Sequence, residues 1–232
     1  MLAGSTICGT VNSASSLFRL AVRRGVIEAN PVRLERGDRP SQKRKREPRY
    51  LTRAEIDRLL AKLRPEARAL AATMAYGALR ISEALDLRWR DIDFDADTLH
   101  VQGTKTEGSR ADVPMIASLK AELQAHRKRH PGVGDVLVFR TATGKRLDRK
   151  DVLRSIYAAG DAAGLNPHGV RKVGCHSLRH SCASVLFAAG TPATKVAAIL
   201  RHSTPRVTLM VYAGLADADR AGLRDDLEAA FR

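Results

Sequence analysis

The side chains of this 232-residue sequence that could do chemistry are a set of cations and one phenol. Arg80 opens the stretch Arg80-Ile81-Ser82-Glu83-Ala84-Leu85, and Lys105 follows beside Gly103. Further on come His176-Ser177-Leu178-Arg179-His180 and then Leu200-Arg201-His202-Ser203, with Tyr212 ten residues after His202. These residue types suit attack on a phosphodiester. Two arginines offer always-charged, bidentate forks for non-bridging oxygens that gain charge in the transition state. A phenol with an ordinary pKa near ~10 is a poor nucleophile at neutral pH unless cations favour its phenolate and a histidine takes its proton. A lysine among other cations can protonate the departing oxygen, and Lys105 and Lys145, each in a glycine-bearing turn, both qualify. Other chemistries lack their residues. Gly144-Lys145 has Phe139 rather than glycine five positions before Gly144, which rules out a phosphate loop of the G-x-x-x-x-G-K type. No G-x-S-x-G elbow is present. His176 and His180 have the i, i+4 spacing of zinc ligands, but Arg179 stands between them, where a metal would meet a fixed positive charge.

The elements that must position these groups read as mainly helical. Helical spacing runs from Val11 to Ile27 and stops at Gly25 and Asn30-Pro31. A basic stretch, 36–49, centred on Lys43-Arg44-Lys45-Arg46, reads as a linker suited to touching a polyanion. Thr52 and Glu55 have the spacing of a capping box, which predicts a helix to about Leu63. Further helices are predicted from Glu66 to Tyr76 and from Arg80 to Leu87. Two short strands are expected at Thr98–Gln102 and Arg110–Pro114, with a weaker one at Val136–Phe139. Helices then resume at 116–130, 148–163, 176–189, 192–200, 205–212 and 217–231. The last of these carries Leu223, Leu227, Ala230 and Phe231 on one stripe.

The order and spacing of Arg80…His176-x-x-Arg179…His202…Tyr212 resemble the tyrosine recombinases, the phage integrase family. The resemblance implies an α+β fold, mainly α with a small antiparallel sheet. It implies a helical core-binding remnant over 1–35, a basic linker over 36–49, a catalytic domain over 50–213, and a C-terminal helix over 214–232 that is exchanged between subunits. Carried over by position, Arg80 is the first catalytic arginine and Glu83 supports it. Lys105 is the general acid, ahead of Lys145, and His176 and Arg179 form the H-x-x-R pair. His202 takes the family's His/Trp position, and Tyr212 is the nucleophile. The family's Leu-Gly-His is Leu200-Arg201-His202 here, so Arg201 either crowds the turn or adds a phosphate contact. With Lys43, Arg44, Lys45 and Arg46 it is expected to face DNA. The implied activity is metal- and nucleotide-independent recombination of double-stranded DNA through a 3′-phosphotyrosyl intermediate. It would take place in a tetramer on DNA, with accessory DNA-bending factors, in a bacterial or phage setting. The alternative is a truncated member of the same family that binds DNA without cutting it.

Composition fits. Lys plus Arg number 40 against 25 acids, a net charge of +15 that calls for a polyanion, nucleic acid first among them. RNA is disfavoured because aromatics make up only 4% of the chain, too few for base-stacking platforms. Residues 213–232 are net acidic, unlike the rest, and so suit a protein groove better than DNA. No apolar run is long enough for a membrane span, and the three cysteines form no C-x-x-C pair, so a cytoplasmic, nucleoid-associated protein with reduced thiols is expected.

Overall fold

A computed structural model describes residues 4–32, 49–102, 111–168 and 172–201. The chain divides into two units, Met1–Glu47 and Pro48–Arg232. In the first, α1 (Gly4–Arg23) is a single helix. Gly25 ends it at φ 69°, where paired bonds from Gly25 N–H to the Val22 carbonyl and from Val26 N–H to the Ala21 carbonyl close its last turn. The Asn30 amide donates back to the Ser15 carbonyl at 3.1 Å and folds the following turn onto the helix.

The second unit is built around a buried helix. After α2 (Arg53–Lys62) comes α3 (Pro65–Tyr76), in which Ala69 through Ala75 are all buried. Its small side chains let α2, α5 (Ala117–Arg129), α6 (Arg149–Ala162) and α7 (Cys175–Ala188) pack closely around it. The capping box at the start of α2 is present: Thr52 Oγ1 accepts from Glu55 N–H, and Glu55 accepts from Thr52 N–H at 2.9 Å. Between α4 (Ile81–Asp86) and α5 lies a three-stranded antiparallel sheet in the order β1 (Ile92–Asp93), β2 (Thr98–Val101), β3 (Ala111–Pro114). Leu99 faces Val113 and both are buried, while His100 faces Asp112 on the outer side, Nδ1 to Oδ1 2.7 Å.

Three expectations change. β1 was not anticipated. Val136–Phe139 is not a strand, but contains only an isolated bridge between Leu137 and Arg88, with Val138 and Phe139 serving as core residues. α1 begins seven residues before Val11 and ends at Arg23 rather than near Ile27, because Gly25 takes the left-handed conformation that closes a helix. The helices expected at 205–212 and 217–231, and the basic run Lys43-Arg44-Lys45-Arg46, lie outside the described residues.

The chain's only tryptophan, Trp89, is packed in a 3-10 turn over Trp89–Asp91, stacked on His126 and under the Arg127 guanidinium. Gly132 lies so close that a Cβ there would come within 2.4 Å of the indole.

Candidate active site

The site forms where three chain segments meet: the turn between α3 and α4, the first turns of α7, and the end of α8 (Ala193–Ile199). At the first, Gly77 closes α3 in a space where a Cβ would come within 2.9 Å of the Thr73 carbonyl. Ala78 then takes a left-handed conformation, φ 51°, and Arg80 leads into α4. Strain at a non-glycine residue of this kind persists where surrounding contacts over-determine it. Those contacts are visible, because the Ala78 carbonyl accepts from Arg179 Nη1 at 2.6 Å and from Arg201 Nη2 at 3.1 Å.

Glu83 is the hub. Its side chain is 3% exposed. Oε2 accepts the Arg80 backbone N–H at 2.7 Å and Arg201 Nη2 at 2.6 Å, while Oε1 accepts Arg80 Nη1 at 2.6 Å. Arg179 Nη1 lies 3.8 Å from Oε2. Burial alone would raise the carboxyl's pKa, but the charge of Arg201 and the hydrogen bonds from Arg80 and Arg201 outweigh it and hold Glu83 below the usual carboxylate range. Three guanidinium charges meet one carboxylate, so the cluster of Arg80, Arg179, Arg201 and Glu83 carries two positive charges in excess. An anion is the natural complement of such a cluster.

The three arginines are not equivalent. The Arg80 side chain is 40% exposed, and its Nη2 also reaches the Arg201 carbonyl at 3.2 Å. Arg179 is buried, donating to the Ala78 and Leu200 carbonyls. Arg201 was expected to face DNA, and the structure corrects this. Its side chain is 2% exposed and its guanidinium is turned inward onto Glu83. Its backbone is left-handed there, with φ 51°.

On α7, His176 is exposed one turn before buried Arg179. Its Nε2 lies 2.7 Å from His180 Nε2, so one ring donates to the other, and Tyr50 packs edge-on against His180. Ser181, next along, donates to the Ser177 carbonyl at 2.8 Å and accepts the Leu51 N–H at 2.7 Å, which anchors the helix carrying His176 and Arg179 to the chain entering α2. Among the described residues, no three His, Cys, Asp or Glu side chains gather as a metal site.

Arg80, Glu83 and Arg179 are therefore brought together, with His176 on the same helix as Arg179. Lys105, His202 and Tyr212 lie outside the described residues. The alternative lysine, Lys145, is exposed in the turn closed by Thr141. Sequence reasoning missed the Ala78 carbonyl, the His176–His180 pairing and the inward turn of Arg201. Only the second had a readable signal, the i, i+4 spacing.

Residues 49–219 match the phage integrase family. The chain is 27% identical to a XerC-like tyrosine recombinase of Caldanaerobacter subterraneus subsp. tengcongensis, over 89% of this chain and 61% of that protein. It is 30% identical to the tyrosine recombinase XerA of Thermococcus onnurineus, over 73% of this chain and 60% of that protein. It thus spans about three fifths of the length of these relatives. The fold is similar to that of the Tn1549 transposon integrase, solved with transposon right end DNA: TM-score 0.74, 19% identity, 91% of this chain and 75% of that one. It is also similar to a XerA recombinase: TM-score 0.63, 23% identity, 74% of this chain and 64% of that one.

Proposed function

The chain belongs to the phage integrase family, and on that premise we propose that it is a site-specific recombinase that cleaves and rejoins double-stranded DNA through Tyr212. The observation that carries this reading is the doubly positive cluster around Glu83, with Arg80 as its exposed member. In the proposed reaction Arg80 grips a non-bridging oxygen of the scissile phosphate. Arg179 adds positive charge from beneath the Ala78 and Leu200 carbonyls. The Tyr212 oxygen attacks phosphorus and the 5′-oxygen leaves, with His176 and His202 handling the phenol's proton and Lys105 protonating the leaving group. The phosphotyrosyl bond conserves the energy of the phosphodiester, so a 5′-hydroxyl from a partner strand can reverse the step without a nucleotide cofactor.

The proposal extends to assembly on DNA as a tetramer, with residues 214–232 docking on a neighbouring subunit and Lys43, Arg44, Lys45 and Arg46 meeting the DNA backbone. Residues 1–35 are proposed as part of a core-binding domain.

The test uses nicked duplexes that the protein itself selects from a randomised pool. A covalent protein–DNA adduct should persist in a denaturing gel, map to Tyr212 by mass spectrometry, survive EDTA and vanish in Tyr212→Phe. An adduct retained by Tyr212→Phe removes that residue from the role. Selective DNA binding without any adduct favours the alternative, a member of the family that binds and does not cut.

A further inference from the structure

Arg201 has a conformation and a set of contacts that phosphate binding does not explain. A left-handed backbone is sterically costly for an ordinary residue, a cost glycine escapes. Arg201 nevertheless holds φ 51° while burying a guanidinium whose side chain is 2% exposed. That guanidinium donates to Glu83 at 2.6 Å, to the Ala78 carbonyl at 3.1 Å and to the Ile199 carbonyl at 3.1 Å. Each of the first two acceptors is shared. Glu83 also holds Arg80, and the Ala78 carbonyl also holds Arg179. The Arg201 carbonyl in turn accepts from Arg80 Nη2. Arg201 is thus joined to Arg179 through the Ala78 carbonyl oxygen and to Arg80 through the two oxygens of Glu83 and its own carbonyl, and it stands one residue before His202.

We propose that Arg201 is a positioning residue for strand cleavage, a buried buckle that fastens the end of α8 to Glu83 and the Ala78 turn and so sets the Arg80 fork toward the phosphate. The inference rests on the recombinase reading above. Two physical consequences follow. Glu83 is held between two cations, one on each oxygen, so its single charge is divided between Arg80 and Arg201. The chain leading into His202 cannot shift without breaking a buried ion pair, whose loss would leave charge uncompensated in the interior.

Arg201→Gly removes the guanidinium and relieves the backbone, so the fold should be kept. Single-turnover cleavage of the selected duplexes at saturating DNA should slow by about a hundredfold, the order expected when a supporting group lets reacting atoms drift. Half-saturation by DNA should stay near the wild-type value. Arg201→Lys should recover part of the rate, and Arg201→Gly combined with Glu83→Gln should be no slower than Glu83→Gln alone. A wild-type rate in Arg201→Gly, a lysine variant no better than glycine, or independent, multiplying effects with Glu83→Gln would each overturn the proposal. If Arg201→Gly loses its melting transition, Arg201→Gln, which keeps a hydrogen bond without the charge, and Arg201→Lys make the same comparison.

A second readout needs no cleavage. In nitrogen-15 spectra of the arginine guanidinium groups, rotation at Arg80 should be hindered in the wild type and freed in Arg201→Gly. Equal mobility in both would overturn the proposal. A wild type that shows hindered Arg80 but forms no Tyr212 adduct would instead sink the recombinase reading and leave the buckle standing.

Discussion

Glu83 decides how tightly like charges can be packed at this site. Removing its charge while keeping its shape, as in Glu83→Gln, leaves three guanidinium groups facing one another with no counter-ion. Breaking a buried pair from one side costs about 3–5 kcal/mol, on the order of 10 °C in melting temperature for a unit of this size. The pH dependence carries its own sign. The carboxyl titrates below its ordinary value of 4.5, so its stabilisation is complete above that pH and is lost as the pH falls through the lowered folded value. Melting curves of wild type and Glu83→Gln should therefore lie far apart at neutral pH and draw together below pH 4.5. A constant gap across that range would mean that the carboxylate charge is not what stabilises the cluster. Arg201 explains why so little of this could be read from residue order. An arginine after a helix in a basic protein looks like a solvent-facing residue, yet this one is buried on Glu83 and the Ala78 carbonyl, acceptors more than a hundred residues away in sequence.

The elements were legible to different degrees. α2 could be read from its capping box, and α3, α5, α6 and α7 from their apolar spacing, each within a residue or two of its observed ends. The first turns of α1 were hidden by Gly4, Ser5, Thr6 and Gly9, all weak helix formers. β1 is two residues long, too short to show alternation, and exists because it pairs with β2. Val136–Phe139 has strand-like composition and does pair with residues 87–89, Val138 N–H to the Leu87 carbonyl and Trp89 N–H to the Val136 carbonyl, but the pairing stops at a single bridge. For the site, the sequence order singled out Arg80, Glu83, His176 and Arg179, and the structure brings Arg80, Glu83 and Arg179 together. That order could not reveal that carbonyls of Ala78 and Leu200 would take up Arg179, since any residue supplies a carbonyl. Ser181 is the element-scale counterpart of Glu83. In Ser181→Ala the buried Leu51 N–H loses its acceptor, which should cost about 1–3 kcal/mol in urea unfolding. A loss under about half a kcal/mol would mean that solvent already reaches that N–H.

At the scale of the whole molecule, charge dominates. With +15 overall, binding to duplex DNA should weaken steeply with salt, the logarithm of affinity falling by about 0.9 per neutralised phosphate for each unit of log salt concentration. A near-zero slope in a fluorescence-anisotropy titration would remove phosphate contacts from the account. The two units also differ optically. Trp89 and all four tyrosines, Tyr50, Tyr76, Tyr157 and Tyr212, belong to the second unit. Tryptophan emission therefore reports on that unit alone, whereas far-ultraviolet dichroism adds the twenty residues of α1 to the signal. If the two units melt separately, the two signals will disagree, and their difference is the melting curve of the first unit, obtained without a label.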